Sequence, residues 1–412
     1  MIITFSPKKI LYSICMYMVS LSVILNTRSI WMHLYGSGNS FSDYIFMLLL
    51  TGVIGCTFSK NNIHMNKIYR GFLISICILG YIGLWIFVTW FKVLPAIKFS
   101  FTILLFLFFF IIQESNERSE VLLKYRNVVF IIALVSLFFW LLGSILHFLH
   151  PSGIVQSVWT DTGDPKVVPS YHGFYFETQE LYGVIRNTAI FTEAPMTSLH
   201  FSIAMLVEVY VDKKKSLFKI FLFSIAILSS FSTTGIILLI VVLLHQLFTT
   251  RTRSKFIQII RISVLPIFFL VVIFVVRLLL QAKLETSSGS IRTDDFIVGT
   301  KAWLLHPIWG NGYMNYDTIK QFMASWRNYN TGFSNSITMV LAYGGIYLAL
   351  LYVFPIIFNF KNIKKEGYLP FLLGVVYLFT FTIIPFEYLT MMLIIFFSTY
   401  SSKTTSSSMI RN

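Results

Sequence analysis

The chain has 412 residues, 56% of them hydrophobic and only 12% charged, where a soluble globular domain carries about 25% charged residues. That balance excludes a soluble enzyme and defines a polytopic membrane protein. The formal net charge of +15 does not point to nucleic acid, because Lys and Arg fall in short clusters between apolar runs and form no basic stripe or basic domain.

A bilayer core takes about 20 apolar residues per helix. On that measure candidate spans lie near 10–27, 41–58, 71–90, 97–112, 127–149, 190–210, 217–231, 235–249, 262–281, 335–358, 367–383 and 384–400, about twelve in all. The first, "LYSICMYMVSLSVILNT", follows Lys8 and Lys9 but shows no small-residue cleavage site, so it reads as a helix and not as a signal peptide. Cys15, Cys56 and Cys77 lie within or beside apolar runs, which predicts neither a structural disulfide nor a zinc site.

Loop charge decides the two ambiguous stretches. Lys213, Lys214 and Lys215 precede 217–249, and Arg251, Arg253 and Lys255 follow it. Positive residues in short loops stay cytoplasmic, so the chain crosses twice there, turning at "SFSTTG". Lys361, Lys364 and Lys365 against Lys403 and Arg411 give 367–400 the same reading, with the turn near "IIPFEY". With the N-terminus inside, the basic loops "SKNNIHMNKIYR", "QESNERSEVLLKYR", "VDKKK", "TTRTRSK" and "FKNIKKE" all face the cytoplasm.

The expected architecture is therefore all-α, with two long extracytoplasmic loops. It divides into a five-helix N-terminal membrane region (1–149), an external loop (150–189), central membrane helices (190–281) that include the short hairpin 217–249, a large external loop (282–334), C-terminal membrane helices (335–400) and a disordered cytoplasmic tail (401–412). No internal repeat is evident.

Polar chemistry gathers in the two outer loops. Arg186 and Glu193, in "YGVIRNTAIFTEAP", stand at the outer mouth of the span starting near 190. Interfacial placement alone accounts for such charges, since Arg snorkels to lipid phosphate and a helix N-terminus favours an anion. The second loop carries Arg292, Asp294, Asp295, Lys301 and His306. Its "RTDDFIVGTKAWLL" suits an amphipathic helix lying on the membrane, ended by Pro307. Asp294 and Asp295 point about 100° apart on a helix, a poor metal pair, and solvation would explain both. Gly310 and Gly312 form a lone Gly-x-Gly facing outward, which is weak evidence for a nucleotide site. Glu208 and Arg277 are the charges nearest to a span interior, and both lie near helix ends.

"RNTAIFTEAP" resembles the segment of bacterial O-antigen and capsule polymerases and ligases in which an Arg precedes an aromatic-x-Glu-x-Pro helix start. "SFSTTGIILLIVVLL" resembles their short hairpin helix. "RTDDFIVGTKAWLLHPIWGNGY" is similar to their Arg-bearing external loop, and "FSNSITMVLAYGGIYLALLYV" to their closing helix, with Asn335 and a Gly pair. The resemblance covers roughly residues 180–350. One position departs from it. Ligase-type members carry His directly before the Asn of the closing helix, and here that residue is Ser334, which favours a polymerase.

The resemblance implies a GT-C-like membrane glycosyltransferase in the bacterial cytoplasmic membrane, with both termini cytoplasmic. It would join polyprenyl-pyrophosphate-linked oligosaccharide repeat units at the outer face, without cofactor or metal. Arg186 and Arg292 are then the expected clamp on the leaving pyrophosphate. Glu193 is the expected base, or the group that orients Arg186, and His306 comes third. Lys301, Asp294 and Asn335 are the expected substrate contacts. Trp159, Tyr171 and Trp303 are aromatic faces for sugars or anchors at the interface. The implied partners are membrane lipids, with a chain-length regulator and a flippase of the same pathway. The competing readings are a ligase, a transporter or flippase of the same lipid-linked glycan, and a purely structural or sensory membrane protein.

Overall fold

The computed structural model describes residues 6–36, 38–60, 65–115, 117–159, 164–181, 183–249, 277, 287–327, 332–359, 362, 365, 367–382 and 385–399. The candidate span 262–281, apart from Arg277, and the tail 401–412 lie outside these residues.

The body is helical. Among the described residues, six helices are long and apolar enough to cross a membrane: Pro7–Asn26, Ser40–Phe58, Met65–Thr89, Val93–Ile112, Glu120–Ile145 and Ser336–Ile357. With their flanking residues they make up α1 (Pro7–Asn26), α2 (Gly38–Phe58), α3 (Met65–Thr89), α4 (Val93–Ile112), α5 (Glu120–Phe139, continuing as a π-turn through Trp140–Ile145) and, later in the chain, the broken helix Ser336–Phe358. Many outward side chains are large and apolar, among them Phe58, Phe72, Phe87 and Leu94. An apolar exterior on helices of this length belongs to a protein embedded in a membrane.

Between α5 and the broken helix the chain forms α6 (Ala194–Tyr210), α7 (Leu217–Ser229), α8 (Thr233–Thr249) and α9 (Ser287–Leu305). The broken helix is α10, followed by α11 (Tyr368–Phe381) and α12 (Tyr388–Thr399). In α6 every residue except Pro195 and Tyr210 is buried, so the helix has no outward face and stands at the centre. It packs against α5, α7, α8 and α11, while α1 packs on α2 and α5, and α4 on α3 and α12. The stretch 217–249 folds as two helices joined through Ser230 and Ser232. Ser216 caps the first by accepting from the Lys219 N–H.

A buried ionic group fastens one end of the body. Arg126 of α5 pairs with Glu208 near the end of α6 and with Asp212 at 2.5 Å, and Glu208 also accepts from the Ser216 N–H at 2.6 Å. The three acidic and basic side chains tie α5, α6 and the start of α7 together at one end of the bundle.

The loop 150–189 corrects the all-α expectation. It forms an antiparallel sheet, β1 (Gly153–Ser157), β2 (Lys166–Tyr171) and β3 (Tyr175–Phe176) in that order, and a small ladder of β4 (Glu180–Leu181) with β5 (Val184–Ile185). Val168 and Phe176 from its inner face close on Ile30, just beyond α1. That burial, with the β-branched pairs Ile154–Val155 and Val167–Val168, favours strand over helix.

The 292–305 segment is helical, but α9 does not lie free on a surface. Its Val298 and Ala302 are buried, and the helix packs along α10. The chain after it then inserts into a break in α10. Gly345 is non-helical there, at φ 60 and ψ −164. The carbonyls of Ala342 and Tyr343 accept from the Asn311 and Gly312 N–H groups, each at 2.9 Å, and the Ile346 and Tyr347 N–H groups donate to Pro307 and Ile308. An interrupted helix at membrane depth needs such partners, since no water replaces the lost bonds. This also gives the Gly-x-Gly its physical role. Gly310 and Gly312 have φ of 72 and 96, and a Cβ on Gly310 would meet the backbone of Tyr343, Gly344 and Gly345.

Gly310→Ala and Gly345→Ala should each lower stability by more than about 1 kcal/mol, because both combine positive φ with backbone crowding. Gly80→Ala on α3, where nothing lies within 4 Å, should be neutral or stabilising by up to about 1 kcal/mol. Thermal unfolding of the three variants in one detergent checks the contrast.

Candidate functional site

The site begins with the loop that enters α6. Asn187 is buried and donates to Ser136 of α5 at 3.3 Å and to Ser229 of α7 at 3.0 Å, while its carbonyl oxygen accepts from the Ala189 N–H. Thr197 donates to the Thr188 carbonyl at 2.7 Å. These bonds fix the backbone on either side of Arg186.

Arg186 turns its guanidinium to the bend between α7 and α8. Its Nε donates to the Ser230 carbonyl at 2.9 Å, Nη2 to the Phe231 carbonyl at 3.2 Å and Nη1 to the Gln179 side chain at 3.3 Å. A cation at the C-terminal carbonyls of a helix is favoured by the helix dipole. Burial pulls the Arg186 pKa down to about 10, with Glu193 raising it and Arg292 lowering it further, so the group stays charged at neutral pH.

Glu193 occupies the N-cap position of α6. Its carboxylate pairs with Arg28 at 3.2 Å, both side chains being mostly buried at 18% and 12% exposure. Arg28 follows α1 in a left-handed conformation, φ 54, and its carbonyl accepts from the Thr192 N–H at 3.1 Å. Its guanidinium lies 4.3 Å over the Trp159 ring, which in turn meets His33 edge-on at 5.0 Å. The small sheet holds this arrangement, since Leu34 bridges to Ser157 and Ser29 to Phe191.

Arg292 approaches from α9. Among the described residues it makes one hydrogen bond, a long one of 3.4 Å to Thr234 of α8. Tyr377 of α11 donates to the Thr234 carbonyl at 3.2 Å. Burial lowers the Arg292 pKa, and the nearby Glu193 is the first of the charges that raise it again. Glu193 is thus a shared counter-charge for Arg28, Arg186 and Arg292. Glu387, before α12, also lies within the influence of Arg28. Thr234 borders a small pocket with Pro195 and Leu378, and Leu378 also lines an apolar cavity of about 350 Å³ between α6, α10, α11 and α12.

The remaining expected residues fall elsewhere. Asp294 and Asp295 are not solvated. They bind Arg327, at 2.9 and 2.6 Å, and Asp295 accepts from the Ser334 N–H and hydroxyl at 2.7 and 2.5 Å. Burial pushes the Asp295 carboxyl up, with Ser334 and then Arg327 pulling it back. Asn335 is buried as the cap of α10, accepting from the Thr338 N–H at 3.0 Å. Lys301 and His306 are exposed. At 1.5 Å rise per residue, Lys301 stands about 13 Å along α9 from Arg292, and His306 lies beyond it. Among the described residues no hydrogen bond or ion pair joins either of them to the arginines. Arg28, Arg327 and Glu387 are the charges that the sequence reading passed over.

Comparison with known protein families, curated proteins and solved structures finds no match for this chain.

The site has a division that stability can read. Arg186→Ala should cost about 1.5–3 kcal/mol, the range for hydrogen bonds to a charged group, because it strips the buried Ser230 carbonyl, and the Phe231 carbonyl beside it, of a donor. Arg292→Ala, which loses one long contact, should cost less than about 1 kcal/mol. Apparent melting temperatures of the purified variants check the ranking.

Proposed function

We propose that this chain is a membrane glycosyltransferase that joins polyprenyl-pyrophosphate-linked oligosaccharide repeat units at the outer face of a bacterial cytoplasmic membrane. The observation that carries the reading is the clustering of Arg28, Arg186 and Arg292 around Glu193, which pairs with Arg28 and lies within the electrostatic reach of the other two. Three guanidinium groups against one paired carboxylate leave a surplus of fixed positive charge. Such a surplus fits an anion that gains charge during reaction, and Arg presents paired donors to phosphate oxygens.

In this reading the hydroxyl of one lipid-linked unit attacks the anomeric carbon of a second, and the bond from that carbon to the pyrophosphate oxygen breaks. The electron pair leaves on the pyrophosphate, which Arg292 and Arg186 stabilise as its charge grows. Among the described residues, Arg292 has the larger share of unengaged N–H groups. Glu193 orients Arg28, and its engaged carboxylate supports that role more than proton transfer. The apolar cavity that shares Leu378 with the small pocket beside Thr234 supports a lipid-borne donor. The twelve-span, GT-C-like topology with its two outer loops belongs to the same proposal. Ser334, at the position where ligase-type members of the resembled family carry His, is committed to Asp295, which favours polymerase over ligase.

Purified protein in liposomes, given a single-repeat polyprenyl-pyrophosphate oligosaccharide and no nucleotide sugar, should produce a ladder of repeats. Arg292→Ala should reduce the rate by about 10²–10³, the effect of removing one preorganised donor, and Arg292→Lys should restore little of it. No ladder from the unaltered protein, with the lipid-linked sugar merely moved between leaflets, would reject the polymerase in favour of a transporter.

A further inference from the structure

A polymerase site of this kind needs a group to take the proton of the attacking hydroxyl, and Glu193 is already engaged with Arg28. A second carboxylate, Glu387, lies within the electrostatic reach of the same arginine. Residues 385–388, between α11 and α12, are held from several sides. The Pro385 carbonyl accepts from the Tyr352 hydroxyl at 2.6 Å, and Phe386 packs against Phe99, Tyr313 and Tyr343 at centroid distances of 5.5, 5.1 and 5.8 Å. The Tyr388 N–H donates to the Asn26 side chain at 2.9 Å, and the Glu387 carbonyl accepts from the Met391 N–H in the first turn of α12 at 3.2 Å.

The backbone on either side of Glu387 is thus anchored, while among the described residues its carboxylate makes no hydrogen bond or ion pair. Asn26 stands two residues before Arg28, so the bond from Tyr388 brings Glu387 to the arginine cluster. We propose that Glu387 is the general base of the reaction, a role that rests on the polymerase reading above.

The chemistry closes as follows. As the acceptor oxygen bonds to the anomeric carbon, its proton passes to a Glu387 oxygen, and the pyrophosphate departs toward Arg186 and Arg292 with the bonding electrons. Glu387 then returns the proton to water. A base works best when its pKa lies near the working pH. Burial pushes Glu387 up to about 7, and Arg28 holds it from rising further. The other titratable groups that feel its charge are Tyr313, from the loop after α9, and Tyr388 beside it.

The test measures the polymerisation rate in liposomes across a pH series for the unaltered protein, Glu387→Gln, Glu387→Asp and Glu193→Gln. A base must be ionised to accept a proton, so the rate of the unaltered protein should climb with pH through a midpoint near 7. Glu387→Gln should lose at least about 100-fold in kcat with KM for the lipid-linked donor little changed, and should lose that rising limb. Glu387→Asp should keep the limb at a reduced rate, and Glu193→Gln should keep it too. Infrared titration of the protein without substrate should show a carboxyl band that titrates near neutral pH and is missing from Glu387→Gln. Unchanged kcat and pH profile in Glu387→Gln, or loss of the limb in Glu193→Gln alone, overturns the assignment. An intact infrared titration with no ladder from the unaltered protein overturns the polymerase reading and the base with it. A ladder with no such titration overturns the base alone.

Discussion

Charge inside an apolar body must be balanced inside that body, and this constraint organises the whole molecule. Leaving one member of a buried ion pair alone costs several kcal/mol, which is far more than the pair itself contributes. Arg126 therefore comes with Glu208 and Asp212, Arg327 with Asp294 and Asp295, and Arg28 with Glu193. Each group joins elements that are distant in sequence. The first locks α5 to α6 at one end, the second holds α9 to the lead-in of α10, and the third fastens the residues after α1 to the N-terminus of α6. Helices that share only apolar faces could slide past one another in lipid, where no hydrophobic force holds them together. The ionic groups remove that freedom.

Against this background the arginine cluster is the exception. Its carboxylates do not match its guanidinium groups in either number or contact, and Arg186 draws on backbone carbonyls for its remaining bonds. Two kinds of arginine result. Arg28 and Arg186 are committed to the fold and define where the positive field lies, while among the described residues Arg292 engages one donor. The field is built from the rigid ends of helices and from a loop fixed by Asn187 and Thr197, so little has to reorganise when an anion arrives.

Some of this was legible in the sequence. The membrane class followed from composition, and Arg186, Glu193 and Arg292 stood out because each interrupts or borders a long apolar run. Arg28 carried an equal signal that was passed over. In "NTRSIW" it is a cation at the end of a span whose other end already bears Lys8 and Lys9, an exception to the rule that positive residues gather on one side. Asp294 and Asp295 were misread as solvated because their partner, Arg327, lies more than thirty residues on, and no local period links them. The sheet in the first loop escaped notice for a related reason. Its pairing depends on Ile30 from another part of the chain. Glu387 sits in a turn that the sequence marked only as a helix boundary.

The break in α10 has a consequence for how the chain can be assembled. Four backbone bonds connect 307–312 with 342–347, and neither segment can satisfy its own groups in the shape it adopts. The two must come together as one event, so α9, its following loop and α10 form a single cooperative unit that is either complete or absent. Arg292 rides on the first helix of that unit. Its position at the cluster is therefore a readout of whether the glycine crossing some distance away has closed, and assembly of the C-terminal half is coupled to completion of the site.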